Sequence, residues 1–275
     1  MAKKSDSLFK RMIKGLIVGA SMLIPGASGG TMAIILGIYD DLIHAVSTLR
    51  KNVKSNVLLL GPFTVAVVAG IVLFSGPMLS AVTMWNKPMM FLFMGAIIGS
   101  IPPLYKKVAV SKIKPVNMVV ASFGMVIGIT TMFLPEGILK VGVGFNLINF
   151  LIIAFAGIII AVALVLPGIS ASYILLMMGI YDMTLNALRE IDLLFLTPLA
   201  VGILSGTFLT AGILEKAMKK HPQFTYMLII GFMLGSLFEV FPGLPGSDEI
   251  VFCVLTFAAG ISAILWIGGY NNADK

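Results

Sequence analysis

The stretch Pro25-Gly26-Ala27-Ser28-Gly29-Gly30-Thr31 decides the fold, and it lies in a long apolar run that continues to Gly37-Ile38-Tyr39-Asp40. It recurs 142 residues later as Pro167-Gly168-Ile169-Ser170-Ala171-Ser172, followed by Gly179-Ile180-Tyr181-Asp182. Proline lacks a backbone N–H and glycine adopts conformations that other residues avoid, so each copy predicts a break in an apolar helix. The residues after each break form the first turn of a new helix, whose N–H groups lack intrahelical partners at the positive end of the dipole. Two such turns buried together would make a site for an anion.

The composition indicates a polytopic membrane protein. Of the 275 residues, 59% are hydrophobic and 11% are charged, and the mean hydropathy is +1.05. Soluble domains carry about 25% charged residues. The apolar runs are continuous, which excludes barrel strands, and a bilayer requires their backbone groups to be paired internally, as in helices. The net charge of +7 is spread over short loops, so it does not indicate nucleic-acid binding.

The apolar segments follow the same order in both halves of the chain. An amphipathic helix at 8–16, with one apolar and one basic face, is suited to the membrane interface. In the first half, a pair of segments flanks the motif and three spans follow: 15–24, 31–48, 57–82, 88–105 and 115–134. The second half repeats this order: 146–166, 170–188, 194–214, 224–241 and 250–269.

Further echoes support a duplication. Gly95-x-x-x-Gly99-Ser100 matches Gly231-x-x-x-Gly235-Ser236, and Pro62 with Gly70 matches Pro198 with Gly206. A rare motif that recurs together with aligned glycines is a strong sign of an internal repeat. The sequence therefore predicts one membrane domain of two repeats, residues 1–140 and 141–275.

Loop charges decide how many times each half crosses the membrane. If each motif-centred pair is a re-entrant hairpin or crosses twice, each half makes an odd number of crossings and the halves are inverted. One side then receives 16 of the 19 lysines and arginines, against 11 if each pair made a single broken crossing. Cytoplasmic loops are enriched in these residues, so the odd count is favoured. Both termini are therefore expected in the cytoplasm.

The first pair is expected to be a re-entrant hairpin, because its leading arm at 15–24 covers only about 15 Å of a hydrocarbon core of about 30 Å. The leading arm of the second pair, 146–166, is long enough to span, so that pair fits either a hairpin or two crossings. The repeat favours hairpins in both halves. The predicted fold is thus an all-α polytopic membrane protein with two inverted-topology repeats, each a re-entrant helical hairpin plus about three transmembrane helices.

With hairpins entering from opposite faces, the two motif tips would meet near the midplane. This is the discontinuous-helix design of secondary transporters, in which helix N-termini point at an anionic group. A simple kink is the alternative for one such motif, but two in register favour a binding site. The candidate substrate-binding residues at the tips are Ser28, Gly29, Gly30, Thr31, Ser170, Ala171 and Ser172.

Two of the three arginines, Arg50 and Arg189, end the segment that follows each motif. A guanidinium group binds phosphate through two parallel hydrogen bonds. We therefore expect these arginines to guide a phosphate into and out of the central site from opposite faces. Anchoring by the positive-inside rule explains Arg50 equally well.

Four acidic or titratable residues are candidates for ion coupling. Asp40 and Asp182 occupy the same place in the two repeats, and a carboxylate in or beside the bilayer suggests a proton or cation relay. An interfacial Tyr-Asp pair at a helix end is the alternative. Glu239 ends an apolar span, and His44 lies about one turn after Asp40, where it could titrate near neutral pH or simply be hydrogen-bonded.

Metal and cofactor chemistry is not indicated. The two histidines, His44 and His221, are too few and too far apart for a metal site, and no nucleotide-binding loop is present. The single cysteine, Cys253, lies in an apolar run and is expected to be a small core residue. We expect no metal, cofactor or nucleic-acid partner.

The first motif with its Gly37-Ile38-Tyr39-Asp40 continuation, and the second copy at Pro167, resemble the polyprenyl-phosphate transporter family (PopT) of bacterial plasma membranes. The resemblance covers nearly the whole chain. It implies a flippase that returns undecaprenyl phosphate from the outer to the cytoplasmic leaflet, so that the carrier is reused in cell-wall biogenesis. The partners would then be this lipid, the bilayer and a coupling H⁺ or Na⁺ ion.

Two other functions fit parts of the pattern. Undecaprenyl pyrophosphate phosphatases also look like inverted membrane repeats with a Pro-Gly-x-Ser tip, but there the tip carries a catalytic arginine. The tips here lack an arginine, so a serine nucleophile would have no phosphate clamp, and no enzyme is expected. An ion-coupled carrier of a small soluble anion would use the same dipole geometry.

Overall fold

The computed structural model describes residues 7–22, 29–108, 115–131, 133, 137 and 146–273. This part of the chain is helical, with no strand. The helices of the first half are α1 Leu8–Ser21, α2 Gly29–Ile35, α3 Tyr39–Ser47, α4 Val53–Met84, α5 Asn86–Val108 and α6 Pro115–Thr131. Those of the second half are α7 Leu147–Val165, α8 Ala171–Met178, α9 Tyr181–Glu190, α10 Leu193–Lys220, α11 Pro222–Val240 and α12 Ile250–Ala273.

The all-α membrane class is confirmed. Among the described residues, five helices are long and apolar enough to cross a membrane, namely α4, α5, α7, α10 and α11, and the bent pair α2 and α3 passes the same test when the two are taken together. The shorter apolar helices α6 and α12 complete the order expected from the sequence. Cys253 is buried in α12, as predicted for a core residue.

The segments after the two motifs differ from the expectation. We predicted one helix over 31–48 and one over 170–188, but each is two helices. Gly37 and Gly179 cause the breaks, since both adopt positive φ values, 67° and 73°, which residues other than glycine rarely adopt. The chain turns by 119° between α2 and α3. In addition, the amphipathic segment and the first arm are not separate but form the single helix α1.

Glycines bring equivalent helices of the two halves into equivalent packing. A Cβ atom on Gly95 of α5 would lie 2.1 Å from the carbonyl oxygen of Phe257 in α12. A Cβ atom on its counterpart Gly231 of α11 would lie 2.1 Å from the carbonyl oxygen of Ala121 in α6. Each of these helices therefore packs on the last helix of the other half. This reciprocal exchange is what a duplicated molecule with an approximate two-fold axis requires.

The equivalent helices α5 and α11 run in opposite directions. The start of α5 lies beside the end of α11, where the ring centroids of Phe91 and Phe241 are 6.4 Å apart. The end of α5 lies beside the start of α11, where the Gln223 side chain donates a hydrogen bond to the Val108 carbonyl at 3.3 Å. Opposite directions of equivalent helices support the predicted inversion of the repeats.

Contacts at the helix ends also bear on the crossing count. His44 in α3 contacts Glu215 in α10, which brings the loops that carry residues 50–54 and 216–220 to the same end of the molecule. At the other end, Lys87 at the start of α5 forms an ion pair with Glu249, just before α12, at 3.1 Å. The odd count predicts both pairings, whereas the even count would separate each pair. The membrane orientation itself stays a prediction.

Close backbone contact of α10 with α7 gives a test of this packing. A Cβ atom on Gly202 would lie 2.0 Å from the Ala154 carbonyl oxygen, so Gly202→Ala should push the helices apart at a cost of about 1–3 kcal/mol. On the same helix, Gly212 has open space around it, so Gly212→Ala should be neutral or stabilise by up to about 1 kcal/mol. Thermal unfolding in detergent measures both. Equal unfolding midpoints for the Gly202→Ala and Gly212→Ala proteins would contradict the close contact of α10 with α7.

Candidate functional site

The two sequence motifs meet in the interior. The backbone N–H of Gly168, in the turn between α7 and α8, donates a hydrogen bond to the hydroxyl of Thr31 in α2 at 3.2 Å. Next to it, a Cβ atom on Gly30 would lie 3.4 Å from the backbone nitrogen of Pro167. Thr31 and Pro167 are both buried. The end of the first motif, in α2, is therefore in direct contact with the turn of the second motif.

The second break has the local structure that its residues require. Helix α7 ends at Val165, and Leu166 is extended, the conformation favoured before a proline. Gly168 then adopts a φ of 82°, and a Cβ atom there would lie 2.5 Å from the backbone carbonyl carbon of Phe232 in α11. Only glycine fits this position. The second tip therefore packs directly against the backbone of α11.

Ser170 joins the second tip to α11. Its hydroxyl accepts a hydrogen bond from the N–H of Tyr173 at 3.3 Å, as an N-cap of α8, and it lies beside the Glu239 side chain of α11. This corrects one expectation, because the first-turn amides are not all unpaired. The motif's own hydroxyl satisfies the Tyr173 amide, and Thr31 satisfies that of Gly168. A ligand here would meet hydroxyl groups as well as amides.

Tyrosines fix α3 to the second half. The hydroxyl of Tyr39 donates to the carbonyl of Val165, at the end of α7, at 2.8 Å. The hydroxyl of Tyr226 in α11 donates to the carboxylate of Asp40 at 3.3 Å. Neither contact was anticipated from the sequence, and Tyr226 was not among the candidate residues. The only sequence signal for it is a phenol within an otherwise apolar span.

The predicted coupling residues have different surroundings. Asp40 is half-buried and held by Tyr226, whereas its counterpart Asp182 is exposed. Their equivalence in sequence is therefore not an equivalence in structure. The offset between Gly95 and Gly231 places Met90 in the first repeat where the second has Tyr226. An apolar methionine offers no hydrogen-bond donor, so the first repeat lacks a tyrosine at the position equivalent to Tyr226.

His44 belongs to a polar cluster that the sequence did not reveal. Its Nδ1 atom lies 2.5 Å from the carboxylate of Glu215 in α10. The same carboxylate accepts from Nζ of Lys219 at 2.5 Å and from the hydroxyl of Ser47. Glu215 and Lys219, four residues apart on one helix, resemble an ordinary surface pair. Their contact with α3 depends on the tertiary structure.

The remaining candidates divide by position. Gly29 begins α2 and Ala171 begins α8, so both flank the contact between the motifs. Arg50 is exposed in the turn after α3 rather than at a helix end. Arg189 lies in the last turn of α9. Ser28 falls outside the described residues, and of Ser172 and Arg189 only the backbone is described. Among the described residues, no cluster of His, Cys, Asp and Glu could hold a metal ion.

The contact between the motifs can be tested at Thr31. Thr31→Val removes the acceptor for the Gly168 N–H and should destabilise the fold by about 1–3 kcal/mol. Thr31→Ser keeps the hydroxyl and should stay close to the wild type. The two substitutions are compared by thermal unfolding in detergent. If valine and serine unfold at the same temperature, the hydrogen bond does not join the motifs.

The family model and the similar proteins all indicate the same family. Residues 18–251 match the family described as VCA0040-like, undecaprenyl phosphate translocase-like. The polyprenyl-phosphate transporter of Staphylococcus aureus (strain NCTC 8325 / PS 47) is 34% identical, over 94% of this chain and 95% of that protein. The one from Vibrio cholerae serotype O1 is 30% identical, over 88% of this chain and 80% of that protein. No solved structure matches. The names of this family and of both relatives denote transporters rather than enzymes, and the chain belongs to the undecaprenyl phosphate translocase-like family.

Proposed function

We propose that this protein is a flippase that returns undecaprenyl phosphate from the outer to the cytoplasmic leaflet of the bacterial plasma membrane. The observation that carries the proposal is the direct contact of the two motifs, from the Gly168 amide to the Thr31 hydroxyl in α2. Broken helices that meet in the interior expose polar backbone groups where a charged head group needs them. The relatives' names supply the class of lipid.

The phosphate head group would be held at the two tips, by Ser28, Gly29, Gly30 and Thr31 on one side and by Ser170, Ala171 and Ser172 on the other. Hydroxyl groups and helix N-termini favour an anion there. An unpaired ion in hydrocarbon is prohibitively unfavourable, so the head group requires such a shielded seat. The opposite directions of α5 and α11 support rocking of one repeat against the other around this seat.

The prenyl tail would stay in the bilayer while the head group crosses. The long helix α4 exposes a continuous apolar face at the surface of the molecule, with side chains such as Val65, Val68 and Val72. A tail that slides along such a face keeps its hydrophobic contacts throughout the movement. The protein would then need to shield only the phosphate.

Charged residues outside the tips complete the proposal. Arg50 and Arg189 would attract the phosphate on opposite sides of the membrane, and both termini would be cytoplasmic. Asp40, Asp182, Glu239 and His44 would couple the movement to H⁺ or Na⁺. The hydrogen bond from Tyr226 to Asp40 and the position of Glu239 beside Ser170 support a role for these two carboxyl groups.

The purified protein in vesicles gives the direct test. We expect undecaprenyl phosphate to move between leaflets, measured as the fraction accessible to a membrane-impermeant reagent over time. Protein-free vesicles are the control. Phosphate release from the pyrophosphate lipid would instead indicate an enzyme, and flux of inorganic phosphate without lipid movement would indicate a small-anion carrier. Either result alone would reject the proposal.

A matched pair at Ser170 tests the phosphate seat. Asparagine and aspartate are equally good N-caps, so Ser170→Asn and Ser170→Asp should both preserve the start of α8. Aspartate adds a negative charge where the phosphate would bind. We expect lipid movement to fall at least about tenfold more in the aspartate variant than in the asparagine variant, at similar thermal stability. Equal rates of lipid movement in the two variants would show that the phosphate does not bind at Ser170.

Arg189 can be tested by changing its charge. Arg189→Ala should slow lipid movement because the cation that attracts the head group is lost, whereas Arg189→Lys should retain part of the rate. Membrane insertion, followed by expression level and detergent stability, should be unchanged in both. A wild-type rate in the alanine variant would discard this role.

A further inference from the structure

The two arms that follow the motifs are packed unequally, although their sequences are equivalent. Helix α3 packs along α10 of the other half, but its counterpart α9 does not pack in this way along α4, the counterpart of α10, in the described part of the chain. Single positions show the same difference. Ile43 in α3 is 6% exposed, whereas Leu185, its counterpart in α9, is 37% exposed. One arm is therefore docked on the opposite half and the other is not.

A polar cluster holds the docked arm, and we call it the latch: His44 and Ser47 of α3 with Glu215 and Lys219 of α10. The Glu215 carboxylate is at its centre and contacts the other three side chains. Its side chain is only 15% exposed, so these hydrogen bonds are partly shielded from water. Charge-assisted hydrogen bonds of this kind are stronger than neutral ones.

The sequence does not provide the same latch at the other end. The offset of 136 residues between Gly95 and Gly231 places Leu79 where Glu215 stands, and the offset of 142 between the motifs places Asn186 where His44 stands. A leucine cannot accept hydrogen bonds from α9. The two ends of this approximately two-fold molecule therefore hold their arms by different means, and the polar latch is confined to the end with the basic loops.

We infer that Glu215 fastens α3 to the opposite half and closes the end of the protein that carries the basic loops, so that transport requires this latch to open while α9 packs against α4. This inference rests on the proposed function, in which one repeat rocks against the other. If the halves exchange their conformations, the contact between α3 and α10 is replaced by its counterpart between α9 and α4. Glu215 thereby sets the balance between the two states.

Reversible cross-linking tests whether the latch must open. In a Cys253→Ala background, Ser47→Cys and Lys219→Cys are joined by a short cleavable thiol cross-linker, and lipid movement is measured before linking, after linking and after cleavage. We expect linking to abolish movement and cleavage to restore it. The matched control is Lys87→Cys with Glu249→Cys, which joins the two halves at the other end, where α5 and α12 are in close backbone contact. Linking this control pair should leave movement unchanged.

A static contact would give a different result. If the linked Ser47→Cys and Lys219→Cys protein moved lipid as fast as the unlinked protein, the latch would be only structural and the inference would be wrong. Movement lost on linking but not restored by cleavage would also contradict it. A loss in the control pair as well would show that any link between the halves inhibits, and would equally overturn the inference.

A second measurement needs no lipid substrate. Asn186→Cys in α9 and Thr83→Cys in α4 are the counterparts of His44 and Lys219, so they should be cross-linked only in the other state. We expect Glu215→Gln to raise the cross-linking rate of this pair about tenfold, as for the loss of a charge-assisted hydrogen bond. Glu249→Gln, which breaks the other ion pair, should leave it unchanged.

An unchanged cross-linking rate in Glu215→Gln would overturn the inference that Glu215 is a latch, even if the protein moves lipid. Conversely, if the wild type moves no undecaprenyl phosphate but Glu215→Gln still raises the cross-linking rate, the proposed function fails and the latch stands. The two proposals therefore fail by different measurements.

Discussion

The hydrogen bond from the Gly168 amide to the Thr31 hydroxyl joins the turn between α7 and α8 to helix α2 of the other half. A helix interrupted inside a bilayer leaves backbone groups that water cannot reach, and each needs a partner. Here the hydroxyl of the first motif satisfies one backbone N–H of the second motif. Gly168 also lets the second motif pack against the backbone of α11, where a Cβ atom would lie 2.5 Å from the carbonyl carbon of Phe232. The rest of the fold places the start of α2 against the turn before α8.

Helix α11 makes this contact possible and connects it to the charged groups. Its backbone at Phe232 packs against Gly168, and its Glu239 side chain lies beside Ser170. Its Tyr226 hydroxyl donates a hydrogen bond to Asp40. One buried helix thus touches both motif-bearing arms. Movement of α11 relative to either arm would alter the site and its carboxyl groups together, which is the physical requirement for coupling an ion to lipid movement.

The asymmetry between the halves is as informative as their similarity. Glycine contacts are equivalent in both halves, because close backbone packing needs only small residues at matching positions. The polar contacts are not equivalent, since Glu215 and Tyr226 stand where the first repeat has Leu79 and Met90. Similar glycine packing combined with polar contacts on one side only gives the molecule two unequal ends. Such a molecule can prefer one of two related conformations.

The sequence by itself determined the membrane class, the break between α7 and α8 and the buried Cys253, because these depend on composition and on local backbone chemistry. The duplication stays a prediction. Pro167 and the positive φ of Gly168 interrupt the chain locally, whereas Pro62 and Pro198 lie inside the continuous helices α4 and α10. Only the tertiary structure decided that Asp40 and Asp182 differ and that Glu215 joins α3 to α10. Those contacts link residues 186 and 171 positions apart, and no local pattern specifies which distant side chain will face a given carboxylate.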